Sequence, residues 1–226
     1  MNTFISKTTL GFSAALALGA ASAVSAATVV NGSFEEDAGT AQDSQEFSTL
    51  ASGSGNDSWS VFSSLPGWTT VSGSGIEVQT TNTLGLTPQD LVRYVELDSN
   101  NNSTMKQTIN FTSTGSYLLS FWYSPRNDDA ASIGITYSIG TLLGSVTGPG
   151  GGPPATSVGS WTQILASFVI TQTGNYDLVF AASGTDNSLG GFIDNVSIYS
   201  IPLQAGGLLL IGALGGLAAL RRRKAA

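Results

Sequence analysis

The stretch SYLLSFWYS, residues 116–124, decides the fold class of this chain. Successive side chains of an extended strand point to opposite sides, so residues two apart share a face. The large side chains of one face recur at every second position: Tyr117, Leu119, Phe121 and Tyr123. Trp122 lies on the other face, between two serines. The pattern predicts a strand with one buried face.

The same two-residue period recurs along the chain, in residues 104–111, 132–139, 175–182 and 192–198. Turn-rich stretches separate these segments, and no segment has a clear helical period. Several half-buried strands joined by turns are typical of an antiparallel sandwich or barrel. We therefore predict one all-β domain over residues 28–200. In the last strand Asp194 has the parity of Phe192, Val196 and Ile198, which predicts that its carboxylate points inward.

The composition excludes several function classes. The chain has no histidine and no cysteine, so disulfides and Ser-His or Cys-His nucleophiles are excluded. Residues 28–200 hold all 15 carboxylates against three basic residues, Arg93, Lys106 and Arg126, and thus carry a net charge of −12. Nucleic-acid binding needs clustered lysine and arginine, so this charge argues against it.

We expect no enzymatic activity and predict no catalytic residues. Glu77, Glu96, Asp98 and Asp177 could supply the two carboxylates of a glycoside hydrolase or lyase, but no spacing singles out a pair. A carboxylate glycoside hydrolase therefore stays the least favoured alternative.

The first 26 residues have the features of a Sec signal peptide. Lys7 is the only charge before Glu35, and an alanine-rich apolar stretch follows it. Residues 24–26, Val-Ser-Ala, form a cleavage site of small residues. We expect export and removal of residues 1–26.

Residues 201–226 combine a short motif, an uncharged segment and a basic cluster. The motif consists of Ile201, Pro202, Leu203, Gln204 and Ala205, and the cluster of Arg221, Arg222, Arg223 and Lys224. The 18 uncharged residues 203–220 would form a helix of about 27 Å, which spans a bilayer core. The basic cluster would stay cytoplasmic, with the domain outside.

This tail resembles the PEP-CTERM sorting signals of bacteria, and within them the variant with a Val-Pro-Leu-Pro-Ala box. Two of the five box positions differ, including Gln204 for the second proline. The resemblance implies a membrane-embedded exosortase as partner, an inner-membrane precursor and a final place at the cell surface or in the extracellular matrix. A plain tail anchor is the alternative.

The ends of the domain carry a second resemblance. Residues 31–35 read NGSFE and residues 188–197 read SLGGFIDNVS. These motifs resemble the galactose-binding-like jelly roll, in particular DUF642-like domains and related carbohydrate-binding modules. The resemblance implies adjacent first and last strands, with Glu35 and Asp194 holding a structural Ca²⁺. Carboxylates and carbonyls are the ligands that Ca²⁺ prefers. The alternative is that both carboxylates accept backbone N–H groups.

Aromatic residues suggest how such a domain could bind sugar. Sugar rings stack on tryptophan, and polar side chains fix their hydroxyls. Trp122 faces away from the predicted core and Arg126 follows it, so we predict both as carbohydrate-binding residues. The alternative is that the tryptophans pack in the core or in loops. The sequence predicts a non-catalytic, exopolysaccharide-binding or biofilm protein at the cell surface, or else an adhesive surface protein without glycan affinity.

Overall fold

The computed structural model describes residues 27–37, 46–50, 58–126, 129–147 and 160–202. The predicted signal peptide, the predicted membrane segment and the basic cluster lie outside these ranges. Within them, no helix is long and apolar enough to cross a membrane.

Within the described ranges, strands form two antiparallel six-stranded sheets. The strands are β1 Trp59–Phe62, β2 Ser64–Leu65, β3 Trp68–Ser72, β4 Ile76–Thr80, β5 Arg93–Glu96, β6 Thr104–Phe111, β7 Gly115–Pro125, β8 Gly134–Ile139, β9 Leu142–Val146, β10 Thr162–Ile170, β11 Gly174–Ser183 and β12 Gly191–Ile201. Two short helices accompany them, η1 Phe47–Thr49 and α1 Thr81–Leu84. Sheet A has the order β1-β4-β5-β12-β7-β10, and sheet B the order β2-β3-β6-β11-β8-β9.

The predicted all-β, antiparallel sandwich is confirmed. The chain passes repeatedly between sheets A and B from β6 to β12, as the strands of a jelly roll do. The core lies between the sheets, and β7 supplies it with the alternating residues predicted above: Tyr117, Leu119, Phe121 and Tyr123. On the outer face of the same strand Trp122 is half-buried.

The predicted inward direction of Asp194 is wrong, because β12 contains a bulge. The pairing of β12 with β7 shifts register between Asp194 and Ser197, and Asn195 has a φ of 50°. A bulge inserts one residue and so reverses the parity of the residues after it. Val196 and Ile198 face the core as expected, whereas Asp194 pairs with Trp122 on the outer face of sheet A. Asp194 is nevertheless fully buried.

Segment 86–92 covers Asp194 on that outer face. Backbone N–H groups of Gln89 and Asp90 donate to its carboxylate, and Leu86 packs with Tyr94 and Phe192 in a small second apolar cluster. One face of sheet A therefore carries a layer of chain outside the sandwich.

The N-terminal segment 27–37 meets β12. The amide of Val196 donates to the carbonyl of Gly32 at 2.8 Å, and a Cβ on Gly32 would lie 2.0 Å from the carbonyl oxygen of Val196. Only glycine allows this approach. The side-chain amide of Gln107 anchors the same segment, since it accepts from the amide of Val30 at 2.7 Å and donates to its carbonyl at 2.8 Å.

Candidate functional site

A cleft of about 340 Å³ opens on the outer side of sheet A, beside α1. Its walls come from strands β1 and β4, helix α1 and the connections that follow β5, β7 and β11. The lining residues are Trp59, Glu77, Gln79, Thr83, Leu84, Ser99, Asn100, Arg126 and Ser188. They combine one aromatic ring with amides, hydroxyls and charges, so this cleft is more polar than most small-molecule sites and offers many hydrogen-bonding groups.

Three polar side chains of β4 and β5 interact at the cleft: Glu77 and Gln79 form its floor, and Glu96 is buried next to them. Glu77 and Glu96 are cross-strand partners, and both are buried. The Nε2 of Gln79 donates to both, at 2.6 Å to Glu77 and 2.7 Å to Glu96. The Oε1 of Gln79 is buried and meets no donor among the described residues. A buried acceptor without a partner is costly, and such atoms often mark functional sites.

Arg126 reaches back from the end of β7 to this floor. Its Nη1 donates to both carboxylate oxygens of Glu96, at 2.9 and 2.7 Å. The amide of Gly190 donates to the same carboxylate at 2.7 Å. The guanidinium side chain keeps 23% of its surface exposed, whereas that of Glu96 is completely buried. Arg126 is therefore fixed in place while one part of it faces the cleft.

Burial holds the pKa of Glu96 well above its ordinary value, and the neighbouring Glu77 raises it further. Arg126 and the amide of Gly190 act in the opposite direction. One guanidinium and two buried carboxyl groups thus lie at the cleft. The net charge of this group of residues is not positive.

The tryptophans take four different positions. Trp59 lies on β1, the edge strand of sheet A, where it pairs with Gln79 and is half-exposed at the cleft. Trp68 is buried in the core, as the packing alternative expects. The indole of Trp161 donates to the carbonyl of Thr87. Trp122 is half-exposed but does not line the cleft.

Of the two predicted sugar-binding residues, the structure places Arg126 in the cleft and Trp122 outside it. Trp122 lies on the same sheet face, between Asp194 on β12 and Gln163 on β10. Sequence reasoning missed Trp59. Its segment WSVF is too short to show a period, and only the pairing of β1 with β4 brings it beside Gln79.

Glu35 and Asp194 accept hydrogen bonds from the two ends of the segment 89–93. Glu35 accepts the amides of Val92 and Arg93 at 2.8 and 2.7 Å and pairs with the Arg93 guanidinium at 2.8 Å. Asp194 accepts the amides of Gln89, Asp90 and Asn195 at 2.7–2.9 Å. Burial raises the pKa of Asp194 to about 7, although these three N–H groups lower it.

These contacts do not form a set of calcium ligands. N–H donors, including a guanidinium, face both carboxylates, whereas Ca²⁺ takes six to eight oxygens. Among the described residues, no group of three or more carboxylates is arranged to hold a metal. The predicted Ca²⁺ at Glu35 and Asp194 would require the ion pair with Arg93 to open, and it stays a prediction.

The other two carboxylates proposed for a hydrolase do not line the cleft. Asp177 is on the outer face of sheet B, where hydrogen bonds from Lys106 and Thr108 lower its pKa. Asp98 is buried and accepts the amides of Asn187 and Leu189. Of the predicted sorting residues, Ile201 ends β12 and Pro202 follows it, both exposed, and the remaining ones lie outside the described residues.

Comparison with protein-family models and with curated proteins found no match. Solved structures with a similar fold include a family 61 carbohydrate-binding module in complex with β-1,4-galactotriose, at 14% identity and a TM-score of 0.42, with 59% of this chain and 88% of that chain covered. A family 35 module from Paenibacillus barcinonensis has 18% identity and a TM-score of 0.39, with 60% and 94% covered. A module of Cellvibrio mixtus lichenase 5A, in complex with cellotriose, has 18% identity and a TM-score of 0.39, with 58% and 92% covered. At these identities the likeness concerns the fold.

Proposed function

We propose that this domain binds a neutral carbohydrate, without catalysis, in the cleft between Trp59 and Arg126. The observation that carries the proposal is that the half-buried Trp59 lines the same cleft as a guanidinium that Glu96 fixes in place. A sugar ring has an apolar face for the indole and hydroxyls for polar groups. The amides of Gln79 and Asn100 and the hydroxyl of Ser99 lie within the same walls.

Charge favours a neutral ligand over an acidic one. At the cleft, the positive charge of Arg126 is accompanied by two acidic residues, Glu77 and Glu96. The surrounding domain carries a net charge of −12. A uronate or sulfate would approach like charges, which lowers both affinity and association rate. We therefore expect neutral glycans to bind more tightly than acidic glycans of similar length.

The geometry of the carboxylates supports binding rather than hydrolysis. Glu77 and Glu96 are neighbours across β4 and β5, joined through the one Nε2 of Gln79, and of the two only Glu77 lines the cleft. In a glycosidase the two carboxyl groups flank the scissile bond. Here the Glu96 carboxylate is covered and already accepts Gln79, Arg126 and Gly190.

Affinity electrophoresis through gels containing a neutral galactan, a neutral β-glucan or polygalacturonate tests the proposal. We expect retardation by a neutral polymer. Trp59→Ala should weaken it about tenfold, which corresponds to 1.4 kcal/mol of binding free energy. Trp122→Ala is the matched control, because Trp122 is also half-exposed but lies outside the cleft.

The outcomes separate the alternatives. Equal weakening by both variants would extend the site along sheet A and restore the sequence prediction for Trp122. Retardation by none of the polymers would favour an adhesive protein without glycan affinity. Release of reducing ends from a bound polymer would reveal a hydrolase.

We also propose that the chain is exported and sorted by an exosortase. The small-residue site at 24–26 and the motif, uncharged segment and arginine cluster of residues 201–226 support this. The domain would then function at the cell surface or in the extracellular matrix, where polysaccharide is the available ligand.

A further inference from the structure

Exposed apolar side chains gather at one end of sheet A. On β10, Leu165 and Val169 are 57% and 52% exposed, and on β12, Tyr199 and Ile201 are 56% and 43% exposed. On β7, which lies between these strands, Leu118 is half-buried. Tyr199 pairs with Leu118, and Ser116 pairs with both Ile201 and Val169. Cross-strand partners share a face, so these five residues form one patch, here called the outer patch.

The outer patch adjoins the end of the sandwich where β12 finishes, here called the tail end. The turns 112–114, 140–141 and 171–173 also lie at this end. Each turn joins two strands, and the strand ends that lead into it are next to Ile201 or Ile170. Tyrosine hydroxyls fix two of the turns, from Tyr117 to the carbonyl of Ser113 and from Tyr176 to that of Gln172, both at 2.8 Å.

The turns of the tail end and the outer patch carry no charge, although the domain is strongly acidic; Asp177 and Lys106 pair with each other farther along β11 and β6. Residues 112–120, 139–142, 164–175 and 197–201 contain no Asp, Glu, Lys or Arg. The opposite end carries Glu96, Asp98, Arg126 and Asp186. An anionic bilayer repels an acidic protein, so the uncharged end is the part of this domain that can approach such a surface at least cost.

The chain leaves from the outer patch directly into an uncharged segment. Ile201 is a member of the patch, Pro202 follows, and residues 203–220 carry no charge before the arginine cluster. One residue spans at most about 3.6 Å. If residues 203–220 span a bilayer, the connection is too short for the tail end to stand away from the lipid headgroups.

We propose that the outer patch rests in the interface of the bilayer that holds residues 203–220, so that the tail end faces the lipid. Tyrosine and aliphatic side chains are favoured at this depth of a membrane. The cleft, which lies at the end of β7 away from Gly115, then faces away from the bilayer. The occupant of the patch is lipid, and the anchored protein has one fixed orientation.

Single-cysteine scanning tests this directly, because the chain has no cysteine of its own. The full chain would be reconstituted in vesicles of phosphatidylethanolamine and phosphatidylglycerol, with a bimane label at Val169→Cys or Val71→Cys. Val71 is the matched control, since it is a strand valine of 56% exposure, on β3 near the end of β6 farthest from the tail end. Nitroxide lipids should quench the Val169 label about threefold more than the Val71 label.

Three results would overturn the proposal. Equal quenching at the two positions would mean that the domain has no preferred orientation. Self-quenching of Val169 labels in vesicles without nitroxide would assign the patch to a second copy of the chain. Extraction of the chain by alkaline carbonate would show that no segment spans the bilayer.

Discussion

At the scale of single residues, the cleft depends on side chains that no ligand would touch. Glu96 is buried, but it fixes the guanidinium of Arg126 and one amide hydrogen of Gln79. The sequence identified Arg126 by its place after a strand. It could not identify its partner, because the contact joins residues 30 positions apart that only strand pairing brings together.

The calcium prediction also belongs to single residues. If Glu35 and Asp194 hold Ca²⁺ as the resemblance implies, millimolar Ca²⁺ should raise the melting temperature of metal-stripped protein above its value in EDTA. A bound ion stabilises the folded state by about 2.7 kcal/mol at a hundredfold excess over Kd.

Asp194→Asn should abolish this rise. Superimposable curves for the unchanged protein would contradict the prediction and favour the alternative, in which both carboxylates only accept N–H groups. Mg²⁺ is the control cation, because it demands a tight octahedral geometry that a flexible calcium site does not provide.

At the scale of elements, the strand alternation was largely readable from the sequence. Strands β6, β7, β8 and β11 bury the faces predicted for them. A strand with one polar and one apolar face can pack on the core only through its apolar face. The exception is β12, where Asp194 emerges on the outer face. A bulge changes parity without changing composition, so the period does not reveal it.

Asn195 offers a test of that bulge. Its φ of 50° is accessible to glycine at no steric cost, whereas a Cβ in this region costs about 1–2 kcal/mol. Asn195→Ala should therefore be less stable than Asn195→Gly by about 1 kcal/mol in urea unfolding. Both variants lose the hydrogen bond from Asn195 to Gln89, so the difference isolates the backbone.

Equal stability of the two variants, or a more stable alanine, would mean that residue 195 does not adopt this conformation. The parity of Asp194 would then return to that of an unbroken strand.

The stretch 37–57 shows a second limit of reading elements from the sequence. Its composition is that of a long polar loop. Its described part, residues 46–50, instead contributes Phe47 and Leu50 to the core, and Arg93 stacks on the Phe47 ring at 4.3 Å. Two apolar residues among polar ones have no period, so the sequence alone does not single them out as core residues.

At the scale of the whole molecule, the fold separates two ends of opposite character. The cleft and its charged groups lie at one end, and the uncharged turns and the outer patch lie at the other. Composition predicted the acidic charge of the domain but not this distribution. The strand order decides which turns lie together at each end, and therefore where the charged residues are. That order cannot be read from a single sequence.

The central claim, that the cleft binds a neutral sugar, is tested most directly by the indole N–H signals of the four tryptophans in ¹⁵N-labelled protein. A neutral oligosaccharide from a polymer that retards the protein would be titrated, with Trp59→Phe used to assign one signal. The account predicts that the Trp59 signal shifts. The signals of Trp68 and Trp161, whose Nε1 groups are held by the carbonyls of Asn31 and Thr87, should stay in place. A saturable shift of another tryptophan while the Trp59 signal stays fixed would contradict it.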